Sequence, residues 1–108
     1  MELSAEDWPE AYEHINKLLT IDPAAFESNF LMANYWYQRK NYGEARSFAQ
    51  KAKVAQPADA DLRNLLGNIF MGLRMVKEAI EEYALAVQYA PDRTDFKTNL
   101  EAARGVNR

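Results

Sequence analysis

Apolar residues recur along this chain at spacings of three and four, which places them on one face of an α-helix. Ala11, Ile15, Leu18 and Leu19 set the pattern between Pro9 and Ile21. It returns over Phe26 to Arg39, Tyr42 to Ala55, Ala60 to Gly72, Val76 to Ala90 and Thr94 to Arg104. No stretch alternates apolar and polar residues over a strand's length, so the pattern predicts an all-α chain of about six helices. Connections such as Asn-Tyr-Gly, Pro-Ala-Asp and Gly-Leu-Arg-Met are a few residues long, and connections this short force neighbouring helices to run antiparallel.

The polar positions refine each helix. Asp7 followed by Glu10, and Asn41 followed by Glu44, are helix-start signals: the first side chain caps free N–H groups and the glutamate favours the positive helix end. Between Phe26 and Arg39 the residues Phe26, Phe30, Leu31, Met32, Ala33, Tyr35, Trp36 and Tyr37 point in several directions, which predicts burial on more than one side. The helix from Thr94 to Arg104 keeps Leu100 and Ala103 for contact but turns Glu101 and Arg104 outward. That polar face reads as a cap, with Gly105 to Arg108 expected to end the helix and fray.

The helices also repeat. Pro91, Pro57 and Pro23 are spaced by 34 residues, as are Ala79, Ala45 and Ala11, and Glu78, Glu44 and Glu10; Gly67 answers to Ala33 and Phe70 to Trp36. A period of this length in helix pairs means a solenoid. The small residues Ala33, Gly67, Ala45, Ala79, Ala52 and Ala86 mark where helix axes approach closely.

Leu66-Gly67, Phe70, Ala79, Tyr83, Ala86 and Pro91 give residues 60–93 a close resemblance to a tetratricopeptide repeat. Residues 26–59 are similar through Met32-Ala33, Trp36, Tyr42, Ala45, Ala52 and Pro57, with Ala49 where a large aromatic is usual. Residues 8–23 resemble the second half of a unit through Trp8, Glu10-Ala11, Ile15, Leu18 and Asp22-Pro23, and residues 94–104 the first half, as a capping helix. Asn29, Arg63 and Lys97 stand where the family often carries a bulky residue near the start of the first helix. The resemblance implies a single domain over residues 1–108, built as a right-handed α-solenoid of antiparallel helix pairs.

It also implies a concave groove lined by the first helix of each pair. The matching positions are Glu27, Phe30, Asn34, Tyr37 and Gln38, then Asp61, Asn64, Asn68 and Met71, then Asp95, Thr98 and Ala102. Asn34 and Asn68 lie one period apart, and an amide offering donor and acceptor suits the backbone of an extended peptide; solvating the groove or bridging neighbouring helices is the alternative. Phe30, Tyr37 and Met71 form an apolar strip that would anchor a partner's side chains, with core packing as the competing role. Glu27, Asp61 and Asp95 put three carboxylates along one rim, where the helix macrodipole also favours them. Such a rim disfavours acidic peptides. One branch of the family clamps the acidic C-terminal tails of heat-shock chaperones. Here Asn34 fits that clamp, but Phe30, Leu65, Asp95 and Asn99 stand where its other residues would be.

Composition narrows the chemistry. With 13 basic and 16 acidic residues the net charge is -3, and no Lys or Arg run marks a phosphate-binding patch, so nucleic acid is not an expected partner. There is no cysteine and His14 is the only histidine, which leaves no histidine-based metal site, cofactor loop or catalytic constellation to assemble. His14 reads as a surface residue, and Glu81 with Glu82 as solvated carboxylates. The N-terminus lacks a secretory pattern and no stretch approaches a membrane span, which suggests a cytoplasmic chain.

The leading expectation is a non-enzymatic scaffold or adaptor that binds a peptide segment or helix of a partner protein. A small secretion or assembly chaperone, and a self-associating unit or fragment of a longer repeat protein, are the alternatives. Self-association is expected at the N-terminal edge, through Trp8, Ile15, Leu18 and Leu19, because too few residues precede that helix to form its pair partner.

Overall fold

The structure, a computed structural model, describes residues 8–106, with side chains from Glu10 onward. Those residues form six helices and no strand: α1 (Trp8–Ile21), α2 (Phe26–Gln38), α3 (Tyr42–Ala55), α4 (Ala60–Gly72), α5 (Val76–Tyr89) and α6 (Thr94–Val106). They fall into two compact units, Met1–Ala55 with α1 to α3 and Gln56–Arg108 with α4 to α6. Within each unit consecutive helices pack on one another. None is long and apolar enough to cross a membrane. Helix α6 runs on to Val106, past the expected end at Arg104, and a Glu101–Arg104 ion pair of 2.9 Å lies on its exposed face.

In the first unit the core gathers Ile15 from α1 with Met32 and Tyr35 from α2, and Tyr12, Leu19, Trp36 and Phe48 pack around it. Tyr12, Tyr35 and Trp36 meet ring to ring at centroid distances of 5.1–6.0 Å, in tilted and edge-on arrangements that suit the quadrupoles of the rings. Ala33, Ala45, Ala49 and Ala52 are fully buried, so α2 and α3 approach with little between their backbones. In the second unit Leu62, Leu66, Ile69, Ala79, Ala86 and Ala103 are likewise fully buried. There Gly67 makes room for a larger group: a Cβ built on it would overlap the ring of Tyr83, with Cζ at 2.9 Å.

Polar residues close the opening turns. Asn29 donates from Nδ2 to the carbonyls of Pro23 and Ala25, at 3.0 and 2.8 Å. One period later Arg63 donates from Nε to the carbonyl of Pro57 at 2.8 Å, and its guanidinium grips Glu82 at 2.9 and 3.2 Å. Both side chains of that pair are only 10% exposed. The expectation of two solvated carboxylates is therefore corrected: Glu81 is exposed, but Glu82 is a buried counter-ion that joins α5 to the entrance of α4. Asn41 accepts the Glu44 N–H at 3.3 Å, the cap expected for α3, and Asp59 caps α4 from the Leu62 N–H at 2.9 Å. Asp7, the other expected cap, lies outside the described residues.

Two helix ends use a left-handed residue that is not glycine. Lys40 and Arg74 have φ of 62° and 61°. In each case the following residue reaches back five positions, Asn41 N–H to the Trp36 carbonyl at 2.9 Å and Met75 N–H to the Phe70 carbonyl at 2.8 Å, while Lys40 and Arg74 donate to Tyr37 and Met71. This is the Schellman arrangement, in which glycine is preferred because it has no Cβ to crowd the carbonyl. Lys40→Gly and Arg74→Gly are each expected to stabilise the chain by about 0.5–1 kcal/mol, the steric relief exceeding glycine's extra chain entropy. Urea titration measures this as a higher midpoint; an unchanged or lower midpoint contradicts it.

Candidate functional site

Helix α2 buries Ser28, Asn29, Met32, Ala33 and Tyr35, which leaves the stripe Glu27, Phe30, Asn34, Tyr37 and Gln38 accessible along its other side. Glu27 and Gln38 are exposed, while Phe30, Asn34 and Tyr37 are half-buried. The ring of Phe30 leans on Phe26 at 5.7 Å and that of Tyr37 on Tyr42 at 5.9 Å, so both aromatics are held by neighbours and still offer one flank. Burial, and then the adjacent Tyr42, raise the Tyr37 phenol above its ordinary pKa, which keeps it a neutral hydroxyl. Asn34 makes no side-chain hydrogen bond among the described residues.

Helix α4 repeats the stripe with Asp61, Asn64, Asn68 and Met71, while Leu62, Arg63, Leu65, Leu66, Gly67, Ile69 and Phe70 are buried. Asp61 is exposed and the other three are half-buried. Here the amides are engaged. The Tyr83 hydroxyl donates to Asn68 Oδ1. Asn99 Nδ2 on α6 donates to Asn64 Oδ1 at 3.0 Å. Asp95, Thr98 and Ala102 lie exposed on α6, with the Thr98 hydroxyl turned back onto the Thr94 carbonyl at 3.0 Å.

The carboxylate positions differ from the expectation of a bare acidic rim. Arg93, in the connection before α6, holds Asp95 through Nε and a terminal nitrogen at 3.0 and 2.8 Å, and reaches Asp61 at 3.2 Å. Its guanidinium also lies over the Phe96 ring, 4.0 Å from the centroid. The side-chain hydrogen bond from Arg93 is the main cause that holds Asp95 below the usual carboxylate range. Of the three carboxylates, two thus share one cation, and Glu27 carries no ion pair among the described residues. Arg93, Asn99 and Tyr83 were not among the expected site residues; Arg93 touches Asp61 and Asp95, Asn99 touches Asn64 and Tyr83 touches Asn68.

On α1 the structure corrects one residue of the expected self-association edge. Ile15 is 3% exposed and belongs to the core with Met32 and Tyr35, and Leu19 is half-buried against the same cluster. Leu18 and Ile21 are the exposed apolar residues, at 37% and 82%, while the Trp8 side chain lies outside the described residues. His14 is exposed. Among the described residues no three His, Asp or Glu side chains come together as a metal site.

Comparison with known proteins is consistent with this architecture. The family model described as a tetratricopeptide repeat matches residues 2–69. No curated protein sequence matches significantly. Among solved structures, a MamA RS-1 ArsTM double mutant superposes with a TM-score of 0.87 at 24% identity, over 94% of this chain and 57% of that one. This chain therefore spans little more than half the length of that relative. The first tetratricopeptide domain of Spaghetti (RPAP3), bound to the HSP90 peptide SRMEEVD, gives 0.88 at 17% identity over 94% and 80% of the two chains. The Arabidopsis OM64 tetratricopeptide domain gives 0.86 at 16% identity over 93% and 83%. At these identities the likeness is one of fold.

Proposed function

Because the chain belongs to the tetratricopeptide repeat family, whose fold is that of a protein-interaction module, we propose that it acts as a scaffold or adaptor in which each unit offers a partner protein's peptide segment or helix its own accessible stripe, α2 in the first unit and α4 in the second. One observation carries the reading. Each of these helices buries one side yet keeps amide, aromatic or thioether side chains accessible at the same spacing, Phe30, Asn34 and Tyr37 in one unit and Asn64, Asn68 and Met71 in the other. Amides supply directional hydrogen bonds to a main chain, and half-buried Phe, Tyr and Met supply the anchoring area that dominates binding energy. A neighbour of the same fold is bound to a peptide, which supports the reading in kind. An acidic C-terminal tail fits poorly, since Leu65 is buried and Asp95 is already paired with Arg93.

A displayed library of random peptides, selected on the wild-type chain, tests the proposal. The selected peptides are expected to lose about tenfold or more in affinity when Asn34→Ala and Met71→Ala are combined, a loss of about 1.4 kcal/mol, with the helical circular dichroism unchanged. A library that yields no binder, or peptides indifferent to these substitutions, rejects the assigned surface.

A further inference from the structure

We infer that Tyr83 fixes the polarity of Asn68, so that the second unit meets its partner with N–H donors and accepts a main-chain carbonyl there, whereas Asn34 in the first unit remains free to donate or accept. The inference rests on the proposed peptide-binding surface and specifies its chemistry. An asparagine side chain offers an acceptor oxygen and two N–H donors, and which end faces outward depends on what holds the other. The Tyr83 hydroxyl donates to Asn68 Oδ1 from the buried side, its ring being only 4% exposed. The Asn68 Nδ2 makes no hydrogen bond among the described residues. It is also accessible, because the only buried side-chain nitrogen or oxygen without a partner among the described residues is Asn29 Oδ1.

The neighbouring amide is polarised in the same sense. Asn64 Oδ1 is taken by Asn99 Nδ2, and the Asn64 Nδ2 donates to no acceptor among the described residues. The two free amide nitrogens sit four residues apart on one helix, about 6 Å along its axis. Carbonyls on one edge of an extended chain recur every second residue, about 6.6–6.8 Å apart. Two donors at this spacing match two carbonyls of one extended segment. One period earlier the arrangement is missing: Ala49 stands in place of Tyr83 and Phe30 in place of Asn64, and among the described residues no hydrogen bond holds the Asn34 amide. Asn34 and Asn68 look equivalent in sequence but present different chemistry. Tyr83 is a positioning residue, since it acts on the partner through Asn68.

The test uses the full chain and a peptide selected on the wild type, measured by fluorescence anisotropy. Tyr83→Phe keeps the ring and removes the hydroxyl; binding is expected to weaken about three- to tenfold in the wild-type background and not at all in an Asn68→Ala background, a coupling that a purely structural role would not produce. Asn68→Asp keeps an acceptor for Tyr83 and removes the donors, and is expected to lose at least as much as Asn68→Ala. Replacing the peptide's carbonyls one at a time by thiocarbonyls, which accept hydrogen bonds poorly, should weaken binding at one position for the wild type and leave Asn68→Ala indifferent at that position. In the free chain, the Asn68 side-chain amide resonances should move on Tyr83→Phe while those of Asn34 stay in place. A peptide that responds to Asn68→Ala but binds the Tyr83→Phe and Asn68→Asp chains as tightly as wild type overturns this inference alone. A peptide indifferent to Asn34, Asn68 and Met71 overturns the proposed surface and the inference with it. Asn68 resonances unmoved by Tyr83→Phe overturn the inference without any peptide.

Discussion

Glu82→Phe is expected to destabilise the second unit by about 3–5 kcal/mol, because it leaves the Arg63 guanidinium buried without its counter-charge. Arg63 and Glu82 are each only 10% exposed, joined through two contacts of 2.9 and 3.2 Å. The attraction inside the pair repays the desolvation of both charges, so removing one partner is worse than removing both. The first unit supplies a natural control, since Asn29 and Phe48 stand one period before Arg63 and Glu82. Arg63→Asn combined with Glu82→Phe should recover most of the loss. Asn29 shows that an amide can reach the carbonyl six residues earlier, at 3.0 Å, as Arg63 does at 2.8 Å. Urea denaturation of the two single variants and the double variant measures this. A Glu82→Phe chain within about 1 kcal/mol of wild type would mean that the pair is not buried in solution; a double variant no better than Glu82→Phe would mean that the first unit's solution does not transfer.

Most of the fold was legible because its signals are local. Period-3.6 stripes and short connections fixed helices whose observed bounds differ from the expected ones by at most two residues at either end, and the Asn41 cap followed from residue type alone. The 34-residue repeat with its signature residues then gave the family. The ends at Lys40 and Arg74 escaped the reading for a physical reason: the sequence signal for a left-handed cap is glycine, and here lysine and arginine adopt it under the pull of the backbone hydrogen bonds that close the turn.

The accessibility of the candidate stripe was legible by position, and its side-chain partners were not. The resemblance to the repeat family marked the stripes along α2 and α4 that the structure leaves accessible, since an accessible face is a property of one helix. What each side chain bonds depends on residues far along the chain: Tyr83 for Asn68, Asn99 for Asn64, Arg93 for Asp61, Glu82 for Arg63. Glu81 and Glu82 are adjacent in sequence but sit about 100° apart around the helix, at 3.6 residues per turn, so one faces water and the other Arg63. Ile15 was assigned to an uncovered edge because no pair partner precedes α1 in the sequence; the contacts with Met32 and Tyr35 of α2 place it inside.

Gly67→Ala is expected to reverse its sign with the residue at position 83, destabilising the wild-type chain by about 1–2 kcal/mol and stabilising a Tyr83→Ala chain by about 1 kcal/mol. In the wild type a Cβ at Gly67 overlaps three atoms of the Tyr83 ring. The ring cannot swing aside cheaply, being 4% exposed and tied through its hydroxyl to Asn68. Overpacking of this kind costs about 1–3 kcal/mol, against which alanine's better helix propensity returns about 1 kcal/mol. Tyr83→Ala alone should cost about 3–5 kcal/mol, through the cavity it leaves and the hydrogen bond it removes. With the ring gone, the clash term vanishes and only the propensity gain and the filling of space remain. The first unit already carries that double combination as Ala33 and Ala49, both fully buried. A thermal or urea double-mutant cycle reads the coupling directly, expected at about 2–3 kcal/mol; additive effects, or an alanine at position 67 that stabilises both backgrounds, would show that the ring and the helix do not meet as described. The same cycle bears on function, because the missing Cβ is what lets the ring lie against α4 with its hydroxyl at Asn68: a substitution that displaces the ring should release the amide and lower both stability and peptide affinity, whereas Tyr83→Phe should lower affinity with little loss of stability.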